Sequence, residues 1–397
     1  MGNIIYMDNA ATTRVAPEVL EEMLPYFSEQ YGNPNSIYGL GQSSYKAVAE
    51  AREIIAGAIN AKVGEIYFTA GGTEADNWAL KGVCDANSGE SKHIITSSIE
   101  HHAILHTCEY LKEKGVKVTY VGVDENGFVR LDELEKAIRP DTVLISVCFA
   151  NNEIGTIQSI KEIGALAKEK GILFHTDAVQ AFGQIPIDVD EFNIDLLSAS
   201  AHKVNGPMGV GFLYVREGVK IGSFVHGGAQ ERKRRAGTGN VPGIVGFGVA
   251  TRLAMAKMEE KMEKLTTLRD YLIERISAEI PYCRLNGDRV KRLPNNVNFS
   301  FQFVEGEALL IMLDIKGIAA SSGSACTSGS SEPSHVLLAI GLANEVAYGS
   351  LRLTLGEENT RGEVDRVVEV LKEVVGKLRG MNPFYGEFVR ESLEQSP

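Results

Sequence analysis

The sequence predicts an α/β fold: a large domain with a mostly parallel sheet covered by helices, joined to a smaller α+β domain. Over the first two thirds of the chain, short apolar runs that read as buried strands alternate with amphipathic helical runs. That alternation is the pattern of a parallel sheet covered on both faces. From about residue 250 it stops, and a long charge-rich helical pattern leads into a mixed order of strands and helices. The length, 397 residues, suits two or three domains of ordinary size and allows a large core.

Taken in order, residues 65–69 read as a short strand and 73–86 as a helix. A strand at 93–97, a helix at 102–114 and a strand at 117–121 follow. Residues 131–138 are helical, and 142–149 form a near-continuous apolar strand. A helix at 160–170 and strands at 173–177, 196–200 and 210–215 complete the sheet. The long helical pattern at 254–280 would join the two domains. Beyond it come a strand at 298–303, a helix at 307–313, a Ser/Gly loop at 321–331, a strand at 350–355 and a helix at 361–379. The large domain is therefore placed at 14–257, and the small one at 1–13 with 258–397. No internal repeat or Pro-rich linker interrupts them.

Composition narrows the function. With 40 Lys+Arg against 52 Asp+Glu the formal net charge is −12, which argues against a general nucleic-acid binder. Hydrophobic residues make up 44% and charged ones 23%, a globular mixture. No stretch approaches the roughly 20 apolar residues that span a bilayer. The opening residues lack a signal peptide's basic and apolar regions, and Tyr6 stands where myristoylation wants Ser or Thr. The five cysteines are widely spaced without a CxxC pair, so neither a zinc ribbon nor a disulfide framework is expected, and the compartment reads as reducing and cytoplasmic. Cys84, Cys108 and Cys148 lie in apolar or helical runs and read as small core hydrophobes.

Five segments carry chemistry. Ser200-Ala201-His202-Lys203 ends a buried strand, where a lysine is rare unless paired or functional, and such a lysine can form a Schiff base with a carbonyl cofactor. Asp177 ends the strand 173–177, where open α/β sheets place ligand contacts, and can face a pyridine nitrogen. Its alternative is plain helix capping. Gly71-Gly72-Thr73 turns from strand to helix and offers free N–H groups and a positive helix end to a phosphate, although capping alone would explain it too. Ile99-Glu100-His101-His102 follows a strand, and one histidine can stack on an aromatic cofactor and move protons. Asn151-Asn152-Glu153 can reach the same cleft. Cys326 sits in Ser321-Ser322-Gly323-Ser324-Ala325-Cys326-Thr327-Ser328, a small-residue loop that packs no core and suits a nucleophilic thiolate.

Together these segments resemble the class I (NifS/IscS-type) cysteine desulfurases, pyridoxal-phosphate enzymes of the aspartate-aminotransferase fold (fold type I, with a seven-stranded sheet). The resemblance runs from Tyr6-Met7-Asp8-Asn9-Ala10-Ala11-Thr12-Thr13 to Leu351-Arg352-Leu353, and is sharpest at Ser200–Lys203 and at Ser322–Ser328. It implies that Lys203 carries pyridoxal 5′-phosphate covalently, that Asp177 holds the ring nitrogen, and that His101 stacks on the ring and shuttles protons. Gln180 would contact the ring hydroxyl, and Gly72, Thr73, Ser200 and His202 the phosphate. Thr238 would reach the phosphate of the partner subunit in a homodimer. Asn152 would contact the cofactor and, with Arg352, grip the substrate carboxylate, Asn33 lying nearby. L-Cysteine would be converted to L-alanine, with the sulfur held as a persulfide on Cys326 and passed to an iron–sulfur scaffold protein. No intrinsic metal is implied, only a transient iron–sulfur ligand role for Cys326. The chain departs from the family at Tyr38, where a histidine is frequent near this position, and at Gly72, where alanine is frequent. Two rivals use part of the same residue set. An aminotransferase or β-lyase needs Lys203 and Asp177 but not Cys326, and a non-catalytic scaffold would need Cys326 alone.

Overall fold

The computed structural model describes residues 4–89, 91–322 and 333–394, so Cys326 lies outside the described residues. The strands in chain order are β1 (Ile5–Tyr6), β2 (Ile66–Thr69), β3 (His93–Ser97), β4 (Lys117–Val121), β5 (Thr142–Ser146), β6 (Leu173–Asp177) and β7 (Leu196–Ser200). They continue with β8 (Gly211–Val215), β9 (Cys283–Leu285), β10 (Asn296–Phe301), β11 (Ile318–Ala319) and β12 (Ser350–Thr354).

Seven strands form one sheet in the order β2-β8-β7-β6-β5-β3-β4. All pairs from β7 to β4 are parallel, and only β8 runs against its neighbours. The expected mostly parallel sheet is therefore present. Every residue of β3, β7 and β8 is buried, because helices cover both faces and leave no polar side. Strand β4, at the edge, is exposed or half-buried over its first four residues. Strand β5 stops at Ser146, short of the expected 149, because the Cys148 N–H leaves the ladder and donates to the Glu100 carboxylate.

The helical expectation at 254–280 needs correction. Two helices stand there, Val241–Ala256 and Met258–Glu279, separated at Lys257 with φ −117° and ψ 11°. The first is apolar all round, with eleven of its sixteen residues buried, so it carries no amphipathic signal. It packs on the helix Gly39–Ala58, so closely that a Cβ on Gly248 would lie 2.7 Å from that of Ala51.

The second layer of structure is an antiparallel sheet, β12-β10-β9, beside the short parallel pair β1-β11. The helices Met258–Glu279, Gly306–Ile315 and Arg361–Met381 bury it in a separate core that includes Met7, Leu272, Phe299, Leu351 and Leu371. Residues Val336 to Ala347, by contrast, pack into the core of the large sheet. Among the described residues no helix is long and apolar enough to cross a membrane. The fold brings the carboxyl ends of β5, β6 and β7, the start of the helix Gly72–Ala86 and the N-terminal segment 8–13 to one place.

Candidate active site

Strand β7 leads into a single 3₁₀ turn, Ala201–Lys203, which turns the lysine off the sheet edge. Its Nζ donates to the carbonyls of Ala10 (2.5 Å) and Ala11 (2.7 Å). The same segment meets two more expected residues: Gln180 Nε2 donates to Ala10 O at 3.0 Å, and the His202 ring lies 3.2 Å from Thr12 Oγ1. Residues 10–13 thus lie across Lys203, Gln180 and His202.

Asp177 ends β6 and is 8% exposed. One carboxylate oxygen accepts the Val179 N–H at 2.9 Å. Burial pushes its pKa up to about 6, against the pull of that bond and of Lys203. Behind it, His175 is fully buried between Ser146 Oγ (2.9 Å) and Ser198 Oγ (3.0 Å), and burial lowers its pKa to about 3. The ring is therefore neutral. Asp76 lies 3.7 Å from it, and burial together with Asp177 raises that carboxyl well above its usual range.

The anion cradle is built by Gly71, whose φ 156° and ψ −178° belong to a region only glycine enters readily. The helix Gly72–Ala86 starts there without a side-chain cap, so its first N–H groups face outward. Gly72, Thr73, Ser200 and His202 line one cavity of about 710 Å³. Gly211 lets the neighbouring strand close in, since a Cβ there would sit 2.7 Å from the Gly71 carbonyl carbon.

His101 caps the helix His102–Glu113: its Nδ1 accepts the Ala103 N–H at 3.1 Å. A backbone amide can only donate, so in the neutral ring the proton sits on Nε2. Burial first, then the charge of Lys203, lowers the His101 pKa to about 4, which keeps the ring neutral. Beside it, Glu100 is fully buried and accepts from Ser97 Oγ and from the Cys148 N–H, and burial pushes its pKa up to about 8.

Arg352, on β12, is almost wholly buried. Its Nη1 donates to the Asn152 carbonyl at 3.1 Å, and its Nη2 pairs with Asp8 Oδ1 at 3.0 Å. Asp8 Oδ2 in turn accepts Ser321 Oγ at 2.9 Å. The structure thus brings Arg352 against the backbone of Asn152. Asn33 is exposed, its Oδ1 held by the Asn35 N–H, and is not among the residues bonded to Arg352. Thr238 lines a different cavity, with Tyr45, Arg52 and Arg235, which meets the anion cradle at Ala70 and Gly209.

The remaining cysteines are inert by position. Burial pushes the thiols of Cys84 and Cys108 up to about 11 and 12, and raises Cys148 and Cys283 as well. The basic run at 232–235 is engaged inside the chain: Arg232 and Arg234 lie over the Tyr67 ring, and Arg235 pairs with Glu74. Among the described residues no cluster could hold a metal ion. Sequence reasoning gave no role to Asp8, Asp76 or Glu100. For Asp8 the one signal was its place within the run Tyr6–Thr13.

The residue set fits a phosphorylated pyridine aldehyde such as pyridoxal 5′-phosphate. Asp177 is a buried carboxylate with a single backbone N–H on it and asks for a cation, which a protonated ring nitrogen supplies. The uncapped helix start suits a phosphate, and Lys203 supplies the amine.

Comparison with known proteins gives concordant findings. A family model described as aminotransferase class-V matches residues 5–367. The cysteine desulfurase IscS of Methanosarcina thermophila is 60% identical over 379 residues, 96% of this chain and 94% of that protein. A solved structure described as a NifS-like protein superposes with a TM-score of 0.89 at 40% identity, covering 94% of this chain and 99% of its own. Another, described as SspA in complex with cysteine, has a TM-score of 0.79 at 39% identity and covers 88% and 98%.

Proposed function

The chain belongs to the class-V aminotransferase family, within its cysteine desulfurases, and from that premise we propose which of its residues take sulfur from L-cysteine and release L-alanine. The observation that carries the assignment is what gathers on segment 8–13: the Lys203 amine bonds Ala10 and Ala11, the Gly72–Thr73 turn shares a cavity with Ala11 and Thr12, and the Arg352 guanidinium pairs with Asp8, while the buried Asp177 feels the charge of Lys203. Bound pyridoxal 5′-phosphate supplies an electron sink that acidifies the Cα–H of an amino acid held through its amine.

The residues around it bind, orient and move protons. Lys203 is the attachment point, Asp177 holds the ring nitrogen, and Gln180 the ring hydroxyl. Gly72, Thr73, Ser200 and His202 hold the phosphate. Arg352 and Asn152 fix the substrate carboxylate, because a guanidinium fork matches it. The Lys203 amine, once free of the Ala10 and Ala11 carbonyls, moves the Cα proton. His101 stacks on the ring, and its Nε2–H is a donor aimed by the helix cap. The Cys326 thiolate takes the substrate sulfur: the C–S bond breaks, an S–S bond forms, and the carbon skeleton takes up protons to leave as L-alanine. The persulfide then passes to an acceptor, which we take to be an iron–sulfur scaffold protein.

We also assign a homodimer and a cytoplasmic location. The dimer is supported by the exposed Phe27, Tyr31 and Ile37, and by Thr238 lining a cavity other than the one lined by Gly72, Thr73, Ser200 and His202. The location is supported by four free cysteines among the described residues. The division into a large domain at 14–257 and a small one from the two ends stays part of this proposal.

Incubation with L-cysteine and reductant, measuring sulfide and alanine together, tests the reaction. Equal yields are expected. Sulfide accompanied by pyruvate would mark a β-lyase instead.

A further inference from the structure

The Arg352 guanidinium is unevenly occupied. Its side chain is 3% exposed and that of Asp8 17%. Nη2 pairs with Asp8 and Nη1 with the Asn152 carbonyl, while Nε is buried with no hydrogen-bond partner among the described residues. Asp8 is held independently of its charge. Its second oxygen takes the Ser321 hydroxyl, its carbonyl takes Tyr6 Oη (3.1 Å) and the Ala11 N–H (3.0 Å), and its backbone bridges to Thr354. Ser321 is itself bonded to the Arg352 backbone in both directions, at 2.6 and 3.3 Å. A carboxylate of the protein's own is therefore fastened beside the guanidinium that, on the desulfurase reading, receives the carboxylate of an amino acid.

We propose that Asp8 is a built-in counter-carboxylate that sets how tightly Arg352 holds the α-carboxylate of substrate and product. A buried guanidinium without an acidic partner is costly, so Asp8 offsets that cost and keeps Arg352 in place between turnovers. When an amino acid arrives, two carboxylates share one cation. Repulsion between them loosens the grip, and because the carboxylate is common to L-cysteine and L-alanine, both are bound less tightly. Among the described residues the Nε–H is the one guanidinium donor with no partner, and so the one still unused. Asp8 acts through Arg352 and is a positioning residue.

The inference rests on the desulfurase reading, and its test separates the two. L-Alanine, which has the amine and carboxylate but no thiol, is titrated calorimetrically into the purified holoenzyme. Asp8→Asn keeps the shape and an oxygen for Nη2 while removing the charge. It should bind L-alanine roughly tenfold more tightly, the change that about 1.4 kcal/mol produces, with KM for L-cysteine falling in step. Ethylamine, which lacks the carboxylate, should bind both proteins alike. Ser321→Ala, which cuts one Asp8 bond and leaves the charge, should keep L-alanine affinity within about twofold of wild type. Unchanged or weaker L-alanine binding by Asp8→Asn overturns the inference, as does an equal gain in Ser321→Ala or an equal gain for ethylamine. A wild type that neither binds L-alanine nor desulfurates L-cysteine fells the desulfurase reading, and the inference with it.

Discussion

At the scale of single residues, Cys326 separates a desulfurase from a lyase. It lies among serine, glycine and alanine, so Cys326→Ala should cost little packing. That variant should fold, retain pyridoxal phosphate and bind L-alanine normally, yet form no persulfide and release alanine near background. Mass spectrometry of the wild type after brief exposure to L-cysteine should show about 32 Da added at Cys326 and removed by reductant. Lys203 and Asp177 stood out because Asp177 closes a buried strand and Lys203 follows one by a single turn, where a charged residue needs a reason. Glu100 was not, because its meaning depends on Ser97 and Cys148, which only folding brings to it. Its carboxyl gives a pH test. Burial raises the pKa from 4.5 to about 8, so between those values the folded state keeps a proton that the unfolded chain releases. Stability from this group is full below pH 4.5 and is lost as pH rises toward 8. The neutral buried rings of His101 and His175 act the other way, with stability lost as pH falls below about 6.5 toward 4 and 3. In Glu100→Gln only the first slope disappears. Its melting temperature relative to wild type should therefore climb steadily from pH 5 to pH 8; a constant offset would show that Glu100 is not protonated in the folded state.

At the scale of elements, the alternation of strand and helix was readable because every strand of the large sheet is either buried on both faces or marked by its edge. The elements that escaped include the helices Pro17–Met23, Gly39–Ala58 and Val241–Ala256 and the short strands β1, β9 and β11. The helix Val241–Ala256 is buried all round and so has no period to detect, and its neighbour's charge-rich pattern absorbed its last turn. The two-residue strands β1 and β11 are too short for any pattern, although they fasten the N-terminal segment to β12's side of the cleft. The turn that makes the anion cradle is likewise a matter of two chains approaching, β8 against Gly71. Gly211→Ala tests that approach. Its Cβ would stand 2.6 Å from the Ala199 carbonyl oxygen and 2.8 Å from Gly71 Cα, both backbone atoms that cannot swing aside. The expected cost is about 1–3 kcal/mol of stability, as for other overpacked sites. Cofactor retention should fall as well, because the displaced turn carries the N–H groups proposed to hold the phosphate. A variant with wild-type melting temperature and cofactor content would show that the turn tolerates the strand's retreat.

At the scale of the whole molecule, the single chain leaves large apolar side chains in water, and Thr238 apart from the other residues proposed to hold the phosphate. Phe27 is 61% exposed, Tyr31 69% and Ile37 95%, all within one short stretch near the N-terminus. Single exposed hydrophobes are ordinary, but a run of large ones marks an interface. Closed two-fold pairing is the commonest form of homo-oligomer, and the proposed dimer would present a loop of each subunit to its partner's cleft. Thr238 sits on such a loop, beside Arg235, whose guanidinium is pinned to Glu74 at the mouth of the anion cradle. If the partner subunit's Thr238 completes each site, two defective chains can repair one another. Thr238→Val should remain dimeric and hold pyridoxal phosphate less tightly, while Lys203→Ala should be inactive. Co-expressed, the two form mixed dimers. One site then carries both defects, and the other combines an intact Lys203 with an intact Thr238 from across the interface. Activity of the mixed dimer above that of either parent, with cofactor retained at about one site per dimer, is the expected result. Activity no higher than the mean of the two parental dimers would place Thr238 in its own subunit's site. Ile37→Asp supplies the complementary check: it should shift sedimentation toward the monomer and lower cofactor retention together, whereas dissociation with full cofactor retention would show that the dimer does not complete the site.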